Sequence, residues 1–199
     1  MRLACLLLAL LPAAPSAANN LDLVVAARRQ VGVTVHYDGS YRRLDYPGGD
    51  VPAERGVCTD VVVRALRTAR SLDLQELVHD DMSANFRAYP NQRRWGLSKP
   101  DANIDHRRVP NLMVYFDRSG YSQPVTRSGG DYLPGDIVAW NLGGGILHIG
   151  IVSDRKAVSG VPLVIHNIGA GAREEDILFR FSVIGHYRLD TPPDTHAPR

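Results

Sequence analysis

Apolar residues recur at helical spacing in "GVCTDVVVRALRTA" (56–69), where Cys58, Val61, Val62, Ala65, Leu66 and Ala69 share one stripe. Arg64, Arg67 and Ser71 face the other way. The pattern predicts an amphipathic helix with Cys58 at its start. A second helix is predicted through "LDLVVAARRQV", capped by Asn19 or Asn20, with Leu21, Val24, Val25 and Val31 roughly on one face. "DLQELVHDDMSANF" has helical spacing too, while "LMVYFDRSG" fits a strand or a helix. From residue 133 the period changes. "PGDIVAWN", "ILHIGIVSD", "PLVIHNIG" and "FRFSVIGHYRL" are apolar or alternating runs punctuated by Gly and Pro, and they read as strands. Helices first and strands second predict an α+β domain, its helical half packed on a small antiparallel sheet.

Two stretches without such periodicity, 36–56 and "YPNQRRWGLSKPDANIDHRRVPN", read as ordered loops. A loop as long as the second is uncommon unless it serves a function. At the start, Arg2, the apolar run Leu3–Leu11 and the small residues Ala17 and Ala18 read as a cleaved secretory leader over 1–18. The expected location is therefore secreted or periplasmic, with a single domain over 19–190 and a polar, Pro-rich tail over 191–199. No later run is apolar enough to suggest a membrane span, for which ~20 residues are needed. The formal net charge is +2, and +1 without Arg2, so no basic footprint calls for nucleic acid.

Cysteine usage then points to chemistry. Cys5 lies in the leader, which leaves Cys58 as a single thiol in an exported chain. Such a thiol forms an intermolecular bridge, is buried and inert, or is reactive. A helix N-terminus favours thiolate, but burial on an apolar stripe suits an inert cysteine equally well. A nucleophilic thiol needs a base, and the base an orienting partner. Of seven histidines, His148 and His166 stand out because each interrupts an apolar strand. A hairpin turn centred on Ala157 makes the two directly opposed on one face. A one-residue slip puts Asn167 opposite His148 instead, and Asn also orients an imidazole. His79, Asp80, Asp81, Asp105 and His106 are the rival metal ligands, but their contiguous spacing splays them over different faces. No metal site is expected. Neither P-loop nor dinucleotide fingerprint is present, and no cofactor is expected.

The order of these parts, Cys58 opening a helix, then "LPGDIVAWN", "HIGIV" and "VIHN", resembles the NlpC-type cell-wall peptidases of the papain-like cysteine peptidase superfamily. That resemblance implies a papain-like fold with Cys58 as nucleophile, His148 as base and His166 as the orienting residue. It further implies hydrolysis of amide bonds in peptidoglycan or another envelope peptide. An acyl transferase and a catalytically inactive envelope-binding module are the alternatives, and a monomer is expected. "VCTD" stands where that family has "DCSG", and the 79–111 segment is foreign to its pattern. Asp105, His106, Arg107 and Arg108 in that segment are the candidate substrate-binding residues. "GVCTDVVVRALR", "DLQELVHDDM" and "NIDHRRVPNL" together resemble an exported bacterial family catalogued as domain of unknown function 1287.

Overall fold

Five helices precede the main sheet in the computed structural model, which describes residues 17–189. The expected leader and tail lie outside these residues, except that Ala17 and Ala18 begin the first helix. In chain order the elements are α1 (Ala17–Arg28), β1 (His36–Tyr37), β2 (Arg55–Gly56), α2 (Cys58–Arg70), α3 (Leu74–Asn85), α4 (Asn91–Trp95) and α5 (Val109–Arg118). The strands β3 (Ile137–Asn141), β4 (Leu147–Lys156), β5 (Pro162–His166), β6 (Arg173–Glu175) and β7 (Ser182–Tyr187) follow. The architecture is α+β. The loop expected at 89–111 contains α4 and a 3-10 turn at Asp105–Arg107, and the ambiguous "LMVYFDRSG" is helical in α5. The 36–56 loop supplies β1 and β2, a two-residue parallel pair.

Helix α2 begins at Cys58 because Val57 is extended and the Asp60 carboxylate, three residues on, accepts the Val57 N–H at 2.6 Å. It ends where Ser71 turns left-handed and returns its N–H to the Arg67 carbonyl. The expected stripe is buried from Cys58 to Leu66 and half-buried at Ala69, and Val63 is buried too, because α1 covers one flank of α2 and β4 the other. The stripe expected on α1 is displaced. Leu23, Val24, Ala26 and Ala27 are buried, whereas Leu21, Val25 and Val31 are exposed. Ala26 and Ala27 are small enough to let α1 lie close, so the small residues mark the packed face.

The sheet is antiparallel, in the order β6-β5-β4-β3-β7. Ile137, Ala139, Ile149, Ile151 and Ile165 face α1 and α2, while Val138, Trp140, Val152 and Val164 face the opposite way onto Tyr132, Ile177 and Leu178. Both faces are therefore covered, which is why these strands read as continuous apolar runs. Asp136 of "PGD" is fully buried and accepts the Leu133 N–H (2.8 Å), both Arg188 donors (2.7 and 2.8 Å) and His186 Nε2 (2.7 Å). It ties the entry of β3 to β7. Among the described residues no helix is long and apolar enough to cross a membrane.

A buried ion pair ties the start of α2 to the turn before α5. Arg107 Nε and Nη2 donate to the two Asp60 oxygens, each at 2.9 Å, with the side chains only 2% and 3% exposed. The other end of Arg107 donates to the carbonyls of Asp38 (3.0 Å) and Ser40 (3.3 Å). Breaking one side leaves a buried charge uncompensated, at a cost of about 3–5 kcal/mol. Asp60→Leu or Arg107→Met alone should lower stability in urea unfolding by about that much, and the double substitution by clearly less than the two effects added. Additive losses would show that the pair is not coupled.

Candidate active site

Cys58 occupies the first turn of α2, and its Sγ takes the backbone N–H of Ile149, the residue after His148. No side chain among the described residues hydrogen-bonds the thiol, His148 included. The His148 ring lies on the Trp140 side of the sheet, stacked on that indole with centroids 5.5 Å apart and planes 25° from parallel. Thiol and imidazole thus approach the first residues of β4 from different sides.

The two histidines do meet: His148 Nε2 lies 3.1 Å from His166 Nδ1, with the rings perpendicular. They meet diagonally. His166 pairs with Gly150, two residues beyond His148, because the turn is centred on Ser159 rather than Ala157 and the register shift between Val152 and Lys156 recovers only half of that offset. An even shift keeps both rings on one face. Gly150 makes the closeness feasible, since a Cβ there would come within 3.0 Å of the Ile165 carbonyl, Val164 Cγ1 and His166 Cβ. Asn167 is engaged elsewhere. Its Nδ2 donates to the Gly56 carbonyl at 3.0 Å, stapling the end of β5 to the segment before Cys58.

Behind His166 stands Glu175 on β6, its Oε2 3.1 Å from His166 Nε2. The oxygen lies off the N–H direction, and Nε2 has no well-formed hydrogen bond. The carboxylate still favours a proton on Nε2 by its charge. His166 Nδ1 is then an acceptor, so His148 Nε2 must donate to it. That tautomer leaves the lone pair of His148 on Nδ1. Nδ1 has no hydrogen-bond partner among the described residues.

Burial sets the charge state. It pushes the Cys58 thiol up to about 12, the Ile149 N–H offsetting only part of the rise, and it pulls His148 down to about 3, assisted by His166. His166 is lowered chiefly by burial, against the pull of Glu175. At neutral pH the site holds a thiol and two neutral imidazoles. The thiolate expected from the helix terminus alone is overridden by desolvation.

A groove of about 310 Å³ opens at Cys58, walled by Tyr37, Trp95, Arg94, Arg108 and Leu147. Of the four expected substrate-binding residues, Arg107 and Arg108 line it. Asp105 and His106 do not; both are buried. Asp105 accepts from Asn91 Nδ2 (2.8 Å), the Asp101 N–H (2.5 Å) and Arg108 (3.0 Å), and burial pushes its carboxyl up. Trp140, Glu175 and Arg94 escaped the sequence reading. A turn centred on Gly144 would have paired Trp140 with His148, as observed. Nothing in "REED" signals the partner of Glu175. Among the described residues no cluster of three or more His, Cys, Asp or Glu has the geometry to hold a metal.

The fold and site define an α+β domain that sets a helix-start cysteine beside a strand-borne histidine pair. The chain belongs to the family described as "Domain of unknown function (DUF1287)", which matches residues 24–189. It is similar to the Escherichia coli (strain K12) protein described as "Uncharacterized protein YijF", 56% identical over 170 residues, which are 85% of this chain and 82% of that one.

Two measurements follow from the buried groups. Alkylation of Cys58 by iodoacetamide should be slower than that of a free thiol at pH 7 and rise about tenfold per pH unit above it. Fast, pH-independent labelling between pH 5 and 8 would instead mean a thiolate–imidazolium pair. Separately, burial lowers His106 from 6.5 to about 4, so the unfolded chain binds the proton first. Stability that is complete above pH 6.5 should fall by about 1.4 kcal/mol per pH unit from this residue as pH drops toward 4, and likewise from His148 toward 3. Urea midpoints for His106→Gln should depend less on pH over that interval.

Proposed function

We propose that this protein is a secreted or periplasmic cysteine hydrolase of papain-like, NlpC-type fold that cleaves amide bonds in peptidoglycan peptides. The observation carrying this reading is the His148–His166 contact, which leaves Nδ1 of His148 free on the strand residue adjoining the Cys58 thiol. For reaction, Sγ leaves the Ile149 N–H and turns toward Nδ1. The thiol proton passes to Nδ1 as sulfur bonds to the substrate carbonyl carbon, which suits a pair that is neutral at rest. The N–H groups at the start of α2 stabilise the oxyanion. The C–N bond then breaks, Nδ1–H protonates the departing amine, and water hydrolyses the thioester with His148 again as base. His166 holds the ring, and the Glu175 carboxylate offsets the charge that develops on the pair.

A second reading, an envelope-binding module without turnover, is favoured by one observation: the Cys58 thiol is buried and no side chain among the described residues hydrogen-bonds it. Incubation with purified muropeptides, with products identified by mass, separates the two. The native protein should cleave, Cys58→Ala should abolish cleavage, and His148→Ala should reduce it about 10²–10⁴-fold. Glu175→Gln should lower kcat about tenfold at unchanged KM. Cleavage that survives in both Cys58→Ala and His148→Ala defeats the hydrolase reading, and no cleavage by the native protein favours the binding module.

A further inference from the structure

The groove at Cys58 is lined by three arginines, Arg94, Arg107 and Arg108, and by no Asp or Glu. Their availability differs. Arg107 is committed to Asp60 beneath the floor. Arg108 is held in place, one Nη on Asp105 and its guanidinium 4.1 Å from the centroid of Trp95, which leaves the rest of its fork unpaired by acid. Arg94 forms no ion pair among the described residues. Its Nη2 donates to the Gly145 carbonyl at 3.1 Å, which bridges the groove from α4 to the turn before β4. Two helices, α2 and the ten-residue α5, also begin at this groove, since Cys58, Val109 and Pro110 line it. Their dipoles add to the same positive field. A concave site with this field and two incompletely paired guanidinium groups matches a carboxylate, which an arginine fork binds in two-pronged fashion.

We infer that the groove selects anionic peptides, binding a free carboxylate near the scissile amide through Arg94 and Arg108. The inference rests on the hydrolase reading only for where that amide lies; carboxylate binding itself can be measured without turnover. The volume suits one or two residues of peptide. Both arginines come from the 79–111 segment, which gives that segment a role beyond covering the helices.

The test is calorimetric titration of the Cys58→Ala protein with a synthetic peptidoglycan stem tetrapeptide, and with the same peptide having every carboxylate amidated. The free acid should bind at least about tenfold tighter. The preference should shrink as salt rises from about 0.05 M to about 0.5 M. Arg94→Gln should reduce it several-fold, and Arg94→Gln with Arg108→Gln should remove it. Because Arg108 also anchors Asp105, the exposed Arg94 provides a variant that leaves the packing intact. Equal binding of the two peptides, no binding of either, or a preference undiminished in Arg94→Gln would each overturn the inference. Preference for the acid by a native protein that cleaves neither peptide would defeat the hydrolase reading alone. Cleavage of both at equal kcat/KM would defeat the carboxylate site alone.

Discussion

Asp60 and Arg107 are buried together, and the geometry of the site depends on how completely each satisfies the other. Removing two such charges from water costs several kcal/mol apiece, recovered only when nearly every donor and acceptor is filled. Here Asp60 receives Nε and Nη2 of Arg107 and the Val57 N–H, while Arg107 also reaches the Asp38 and Ser40 carbonyls. The pair fixes the first turn of α2, hence the depth of Cys58. It also fixes the turn that carries Arg108, hence one wall of the groove. The Asp of "VCTD" therefore has a structural meaning: it anchors the segment that carries Arg107 and Arg108.

The histidine pair obeys a second constraint, the end of a sheet. Beyond His166 the chain leaves β5, and Asn167 ties it to Gly56. Strand β4 therefore has an unpaired backbone N–H at Ile149, which the thiol occupies. The same divergence opens the space in which His148 and His166 turn toward one another. Deep burial makes all three groups neutral, so the resting site stores no ion pair.

Much of the fold was legible from periodicity. The stripe on α2 follows from one packed helix face, and the switch to strands after residue 133 from a sheet covered on both faces; together they give the α+β arrangement. The stripe on α1 was misread because alanines, weak as hydrophobic signals, are what permit close helix packing. Parity identified His148 and His166 as neighbours because an even offset preserves faces, although exact opposition was lost because the turn is centred later in the chain than Ala157. Asn167, one residue away, fell to a backbone contact that no strand pattern encodes. Long-range polar partners were illegible for the same reason: Glu175 on β6 and Arg94 on α4 sit in elements too short to leave a periodic trace. Of Asp105, His106, Arg107 and Arg108, burial separated wall from foundation, and sequence carries no sign of which side chain faces inward.

The stacking of Trp140 on His148 has a consequence of an optical kind. The chain has two tryptophans, one beneath this imidazole and the other, Trp95, against Arg108 in the groove wall. Indole emission is quenched by a neighbouring imidazolium and shifts when water leaves its surroundings. The tryptophan fluorescence of this protein thus originates from the two sides of its candidate site: one emitter registers the charge on the histidine, the other the occupancy of the groove.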